Sequence, residues 1–261
     1  MKRPAPFGLI VLVVVTAMTV LSLYQLGLFD VSRLLSAAKN LSVFFQDLFP
    51  PRLVVLPALA GATWETVRIS FAGTMLGFLM SLPPAFFATS TLFGRRVNVA
   101  ALLLIGAVRS VPSILYGVIF VICFGLGPAA GTLGVAFYTV GYLAKIFYEA
   151  FEAVDKEVVQ AIISTGCNRL QLFRFAILPE AANTVVSQLL FMFEYNIRAS
   201  TIMGFVGAGG IGYYMAGYIQ MLQYKNLMMA LVVTFAVIIA IDYLSLTVRS
   251  RMAAAGNKEK Y

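Results

Sequence analysis

Three ionisable side chains sit in runs that otherwise carry no charge: Arg109 in "LLLIGAVRSVP", and Glu194 with Arg198 in "LLFMFEYNIRAST". If those runs cross a membrane, each charge costs on the order of 3 kcal/mol near the bilayer centre, and such residues tend to mark pathways. The planar guanidinium fork suits a tetrahedral oxyanion. Ser110, Asn196, Ser200 and Thr201 place neutral donors beside the two arginines. Glu194 and Arg198 stand at i and i+4, on one helical face, where they can pair. The chemistry expected of these seven residues is passage of a small anion. The plainer alternative is a neutralised helix–helix pair and an Arg109 that snorkels to an interface.

A second pattern points elsewhere. "GFVGAGGIG", residues 204–212, holds a G-x-G-x-x-G at Gly207, Gly209 and Gly212, the spacing that wraps a dinucleotide pyrophosphate when a strand precedes it and an acid follows about 20 residues on. Here a long apolar segment precedes the glycines, and residues 225–232 read "KNLMMALV", without an acid. Four glycines in six residues, with Gly210 the fourth, cannot sustain a helix at ordinary propensity. The expectation is a helix break or gate at the membrane surface, with close helix approach, and no dinucleotide.

The elements that must position these residues follow from composition. Of 261 residues, 61% are hydrophobic and 11% charged, and mean hydropathy is +0.90. Soluble domains carry about a quarter charged residues. The absence of histidine removes the commonest general base and metal ligand. Cys123 and Cys167 form no C-x-x-C. No paired-carboxylate constellation is evident, and no metal is expected. Six stretches are long enough to span, near 7–25, 61–88, 97–124, 129–150, 182–206 and 226–248. Within the third, Pro112 should free the carbonyl of Val108 and kink the helix. The first is too long for a signal h-region and is read as an anchor.

With the N-terminus inside, twelve of the Lys and Arg residues, from Lys2 and Arg3 to Lys258 and Lys260, face the cytoplasm and four face out. The positive-inside bias therefore places both termini in the cytoplasm, and explains the net charge of +8 without nucleic acid. Residues 31–48 repeat apolar positions at helical spacing between Asp30 and Pro50-Pro51, as an amphipathic helix in the outer interface would. Arg68, beside Glu65 and Trp64, reads as an interfacial ion pair. Residues 149–180 form a polar loop in which a helix containing Val154, Val158 and Ala161 ends at Gly166, and a second runs from about Asn168 to just before Pro179. A hairpin projecting from a membrane protein is a docking element.

These residues carry a family resemblance. Gln160-Ala161-Ile162, Gly166 and Ala176-Ile177-Leu178-Pro179 resemble the E-A-A, three residues, G, nine residues, I-x-L-P loop of ABC importer permeases; Ala161, Gly166, Leu178 and Pro179 match, and positions 160, 162 and 176 differ. "VRSVP" at 108–112 resembles the R-S-x-P of the same permeases. "FEYNIRASTIMGFVGAGGIG" at 193–212 resembles the phosphonate-importer branch, F-E-x-N-x-R-S-A-T followed by V-G-A-G-G-I-G, with Ala199-Ser200 in place of Ser-Ala. The likeness covers residues from about 60 to 250.

The resemblance implies an all-α integral membrane protein of the type I importer permease fold, with six transmembrane helices and a cytoplasmic coupling-helix hairpin. It implies a transmembrane domain over 58–250 in a bacterial inner membrane, which follows the anchor and interfacial helix read over 1–57 and precedes a cytoplasmic tail over 251–261. Glu157, Gln160, Ala161, Gly166, Leu178 and Pro179 would then contact an ATPase. The partners implied are a second permease chain, two ATPase subunits that use ATP and Mg, an external binding protein that delivers the solute, and lipid. The chain itself has no G-x-x-x-x-G-K-[ST] and would hold no cofactor. The leading expectation is a permease for phosphonate or a related phosphorus oxyanion. The rivals are a permease for another small anion or an amino acid, a secondary transporter, for which no inverted half-repeat is evident, and a membrane enzyme acting on phosphorylated lipid.

Overall fold

The computed structural model describes residues 6–258, with side chains from 8 to 250; Lys2, Arg3, Arg251, Lys258 and Lys260 of the charge count lie outside those side chains. Residues 1–50 and 51–261 form two compact units. The first consists of α1 (Pro6–Gln25), apolar along its whole length, and α2 (Val31–Leu48). Asp30 caps α2 by accepting the N–H groups of Ser32 and Arg33. The Ser32 hydroxyl, before the Arg33 N–H, holds the Asp30 carboxyl below its usual range.

The second unit is a helical bundle. A short 3-10 turn (Leu53–Val55) leads into α3 (Leu56–Ala88), followed by α4 (Arg95–Ser110), α5 (Ser113–Phe124) and α6 (Pro128–Glu152). The hairpin helices α7 (Lys156–Ile163) and α8 (Arg169–Leu172) come next, then α9 (Leu178–Gly204), α10 (Gly210–Gln220) and α11 (Tyr224–Lys258). Among the described residues, α1, α3, α6, α9 and α11 are apolar and long enough to cross a membrane, and the α4–α5 pair makes a sixth span. The six expected spans are therefore all helical. The third is not straight: α4 and α5 meet at 83° across Val111 and Pro112.

Pro112 has no N–H to give the carbonyl of Val108, so the helix cannot continue through it. The Tyr116 hydroxyl supplies the missing donor at 2.8 Å. At the centre of the bundle, α3 and α6 approach closely because Gly73 and Gly77 present no side chain. A Cβ on Gly73 would lie 2.6 Å from Val135 Cγ1, and one on Gly77 would lie 2.7 Å from the Ala136 carbonyl. In lipid, where apolar burial gives little drive for association, such contact lets helices gain packing and buried polar bonds.

At one end, an aromatic cluster joins the hairpin to the bundle. Phe173 meets Phe86 of α3 and Phe151 of α6 edge-on, at ring-centroid distances of 4.9 and 5.1 Å. Leu143, Phe147, Val159, Leu172 and Ile177 are buried in the same cluster. At the other end, Ile211 and Met215 of α10 pack on Leu59 and Ala62 of α3 and on Leu227 at the start of α11.

Candidate functional site

The glycine motif breaks the helix between α9 and α10, as expected, and is buried at a junction of α3, α6, α9 and α10. α9 stops at Gly204, and residues 207–212 are buried at the level of Glu65 and Thr66, well inside α3. α10 then turns back along the first turns of α3. The reason for the burial is that the orphan N–H groups at the α10 N-terminus have protein partners. Glu65 accepts from the Gly210 N–H at 2.8 Å, and Thr66 Oγ1 accepts from the Ile211 N–H at 2.8 Å. The amides that would cradle phosphate in a nucleotide fold are occupied by a carboxylate and a hydroxyl of the same chain. Glu65 is therefore not the partner of Arg68, and no ion pair joins the two among the described residues. Gly212 is required by contact: a Cβ there would stand 1.9 Å from the Thr201 carbonyl oxygen.

Asn196 anchors a second buried polar group at the middle of the bundle. Its amide nitrogen donates to Thr74 Oγ1 of α3 and Thr139 Oγ1 of α6, both at 2.8 Å. Ser200 and Ser70 share a 2.7 Å hydroxyl contact, and Ser70 also donates to the Asn196 carbonyl at 3.1 Å. Thr201 bonds back to the Ile197 carbonyl. All these side chains are buried. Asn196, Ser200 and Thr201 thus face neighbouring helices, where polar bonds hold spans together. They do not stand free beside an arginine, as the sequence suggested.

The Glu194–Arg198 pair exists, at 3.3 Å, and belongs to a larger set. Arg198 also contacts Asp242 of α11 at 2.7 Å, and Arg249 of α11 contacts Glu194 at 2.9 Å. Two acids and two arginines balance, and they tie α9 to α11. Asp242 and Arg249 were missed from this set, although Asp242 is visible as a single acid in the apolar run "VIIAIDYLSL".

Arg109 differs from Arg198. It is exposed on α4, and no acidic side chain pairs with it among the described residues. Its stem lies along α6, where a Cβ on Gly141 would be 3.0 Å from Arg109 Cγ. Ser110, next to it, donates to the Ala107 carbonyl. One turn along α6, Tyr138 stacks on Tyr195 of α9 with centroids 5.8 Å apart. The apolar groove of about 720 Å³ between α3, α4 and α6 offers an anion little, since Arg96 is its one charged lining residue.

In the hairpin, Asp155 caps α7 by accepting the Glu157 N–H at 2.9 Å, so the helix begins at Lys156 and Val154 packs beneath it. Asn168 and Gln171 form a reciprocal capping box at the start of α8. Gly166 between them has φ +79° and open space around it. Glu157, Gln160 and Ala161 are exposed on α7. The second helix does not stop before Pro179. A five-residue π-helical segment, Phe173–Ile177, carries it into α9, with Pro179 the second residue of α9.

A polytopic helical bundle with an exposed hairpin at one end and buried intramembrane polar junctions is the architecture of a transport permease. The chain belongs to the family of binding-protein-dependent transport system inner membrane components, whose pattern it matches over residues 73–252. It is 33% identical over 89% of its length to the phosphite transport system permease protein PtxC of Stutzerimonas stutzeri, covering 85% of that protein. To the phosphate-import permease protein PhnE of Mycolicibacterium smegmatis it is 34% identical over 80% of its length, covering 40% of that protein. Its fold matches the permease chain of the MetNI methionine ABC transporter in an inward-facing conformation, at a TM-score of 0.68 and 21% identity, covering 77% of this chain and 99% of that one. The type I importer fold and the role of ABC importer permease follow.

Proposed function

We propose that this permease passes a phosphorus oxyanion, phosphonate, phosphite or phosphate, across the bacterial inner membrane. The observation that carries the reading is the likeness, across most of the chain, to permeases named for phosphite and phosphate. Arg109, an intramembrane cation without an acidic partner among the described residues, fits an anionic solute. Two copies of the chain pair, an external binding protein delivers the solute, and two separate subunits hydrolyse ATP with Mg; this chain catalyses nothing. The exposed face of α7, with Glu157, Gln160 and Ala161, docks on the ATPase, and Gly166, Leu178 and Pro179 set its angle. With α7 and α8 on the cytoplasmic side, the glycine junction lies toward the outer mouth.

A second reading is a permease for another small solute, since methionine and amino-acid transporters share the fold. The test is uptake of labelled methylphosphonate, phosphite and phosphate by cells expressing the ATPase and binding protein, with and without this chain. Chain-dependent uptake of at least one is expected. Uptake of none rejects the oxyanion reading.

A further inference from the structure

Arg109, Tyr138 and Tyr195 come from three different helices and meet at one depth. Thr139, adjacent to Tyr138, bonds the side chain of Asn196, adjacent to Tyr195. The level is the middle of the bundle, since Asn196 also bonds Thr74, near the midpoint of the 33-residue α3. Arg109 reaches the same level by lying against Gly141, one turn from Tyr138 on α6. The Tyr138 ring stacks on that of Tyr195 with centroids 5.8 Å apart, one helical turn from the point where Arg109 lies against Gly141. The rings continue as a patch, from Tyr195 to Phe191 at 6.4 Å and from Phe191 to Tyr142 at 6.2 Å.

Two features separate this group from the polar junctions beside it. The side-chain donors of Asn196 are consumed by the protein, and Arg198 is neutralised by Glu194 and Asp242. Arg109 has no such acid among the described residues, and Tyr195 is exposed at 37%. An unpaired guanidinium and phenolic hydroxyls at mid-membrane depth are costly against lipid. They are suited to a solute that brings its own negative charge.

We propose that Arg109 and the stacked Tyr138 and Tyr195 form a mid-membrane station for a tetrahedral oxyanion. This rests on the phosphorus-oxyanion reading above. Arg109 supplies charge and a forked pair of donors. The two phenols donate to the remaining oxygens, and the aromatic patch accommodates a substituent that cannot hydrogen-bond, such as the hydrogen of phosphite or the methyl of methylphosphonate.

The test measures uptake of phosphite and of methylphosphonate at limiting concentration in cells holding the complete transporter, normalised to permease that copurifies with its ATPase. Tyr138→Phe and Tyr195→Phe keep the ring stack and remove one hydroxyl each. Each is expected to lower uptake of both probes roughly tenfold, as loss of a hydrogen bond to a charged oxyanion implies. Arg109→Gln is expected to lower it further, and Arg109→Lys to fall between Arg109→Gln and the parent. Arg68→Gln, which removes an exposed arginine elsewhere in the bundle, should transport as the parent does. If Arg109→Gln does not assemble, Arg109→Lys and the two phenylalanine variants decide. Parental uptake by all three of those variants sinks the station while leaving the oxyanion reading intact. Parent cells that take up neither probe sink that reading, and the station with it.

Discussion

The hydroxyl of Tyr116 donates to the carbonyl of Val108 at 2.8 Å, which is the acceptor that Pro112 cannot serve. The bond spans the 83° bend between α4 and α5, so the side chain of one helix completes the backbone of the other. Tyr116→Phe keeps the ring and strands the carbonyl. An unsatisfied group of this kind costs about 1–3 kcal/mol. Thermal unfolding of the detergent-solubilised chain should occur at lower temperature for Tyr116→Phe than for the parent, and an unchanged midpoint would mean the carbonyl has another donor.

Gly212 and Gly217 lie five residues apart on α10 and should respond in opposite ways to alanine. A Cβ at 212 would sit 1.9 Å from the Thr201 carbonyl oxygen, whereas nothing lies within 4 Å of one at 217. Gly212→Ala should reduce the yield of folded permease severely. Gly217→Ala should be neutral or slightly stabilising, since alanine favours helix by about 1 kcal/mol. Size-exclusion profiles of the two variants give the comparison, and equal monodisperse yields would contradict the close approach of α9 and α10.

Charge balance between α9 and α11 predicts coupling between Arg198 and Asp242, whose side chains meet at 2.7 Å. Arg198→Gln leaves Asp242 without this partner, and Asp242→Asn leaves Arg198 with only the longer bond to Glu194. The double variant should recover part of the stability that each single change loses, with a coupling free energy of about 1 kcal/mol. Additive losses in a double-mutant cycle of thermal stability would show that the two do not act as a pair.

Gly166 stands at φ +79° with free space beside it, so its constraint is conformational and not steric. Gly166→Val should cost about 1–2 kcal/mol locally and misdirect α7, whereas Gly166→Asn, which tolerates this region better, should be milder. Membrane insertion should survive in both. Copurification of the ATPase subunit should fall for Gly166→Val, and full recovery of the ATPase with that variant would remove the hairpin turn from docking.

Much of this fold is legible in the chain because membrane helices announce themselves by length and apolarity, and the bend at Pro112 follows from one missing N–H. The hairpin is readable too, from Gly166 and Asn168, although the helix read as containing Val154 begins only at Lys156, after the Asp155 cap. What resists reading is which polar residues face each other. Asn196 and Arg198 are two positions apart and look equivalent in sequence, yet one is consumed by Thr74 and Thr139 while the other meets Asp242, 44 residues away. Proximity in sequence suggested that Glu65 serves Arg68, but the α10 N-terminus, brought by the tertiary fold, takes the carboxylate instead. The G-x-x-x-G formed by Gly73 and Gly77 was available as a signal for the α3–α6 contact.

α9 runs unbroken for 27 residues, about 40 Å of helix. Its start is joined to the hairpin through five π-wound residues, and its end abuts the glycine junction. No flexible loop intervenes between the hairpin and the opposite side of the bundle. Between α8 and the junction the winding departs from α only within Phe173–Ile177, and single π turns of this kind are frequent at functional sites. If the hairpin docks on the ATPase as proposed, this five-residue segment is where force entering at one face would be either passed to α9 or absorbed.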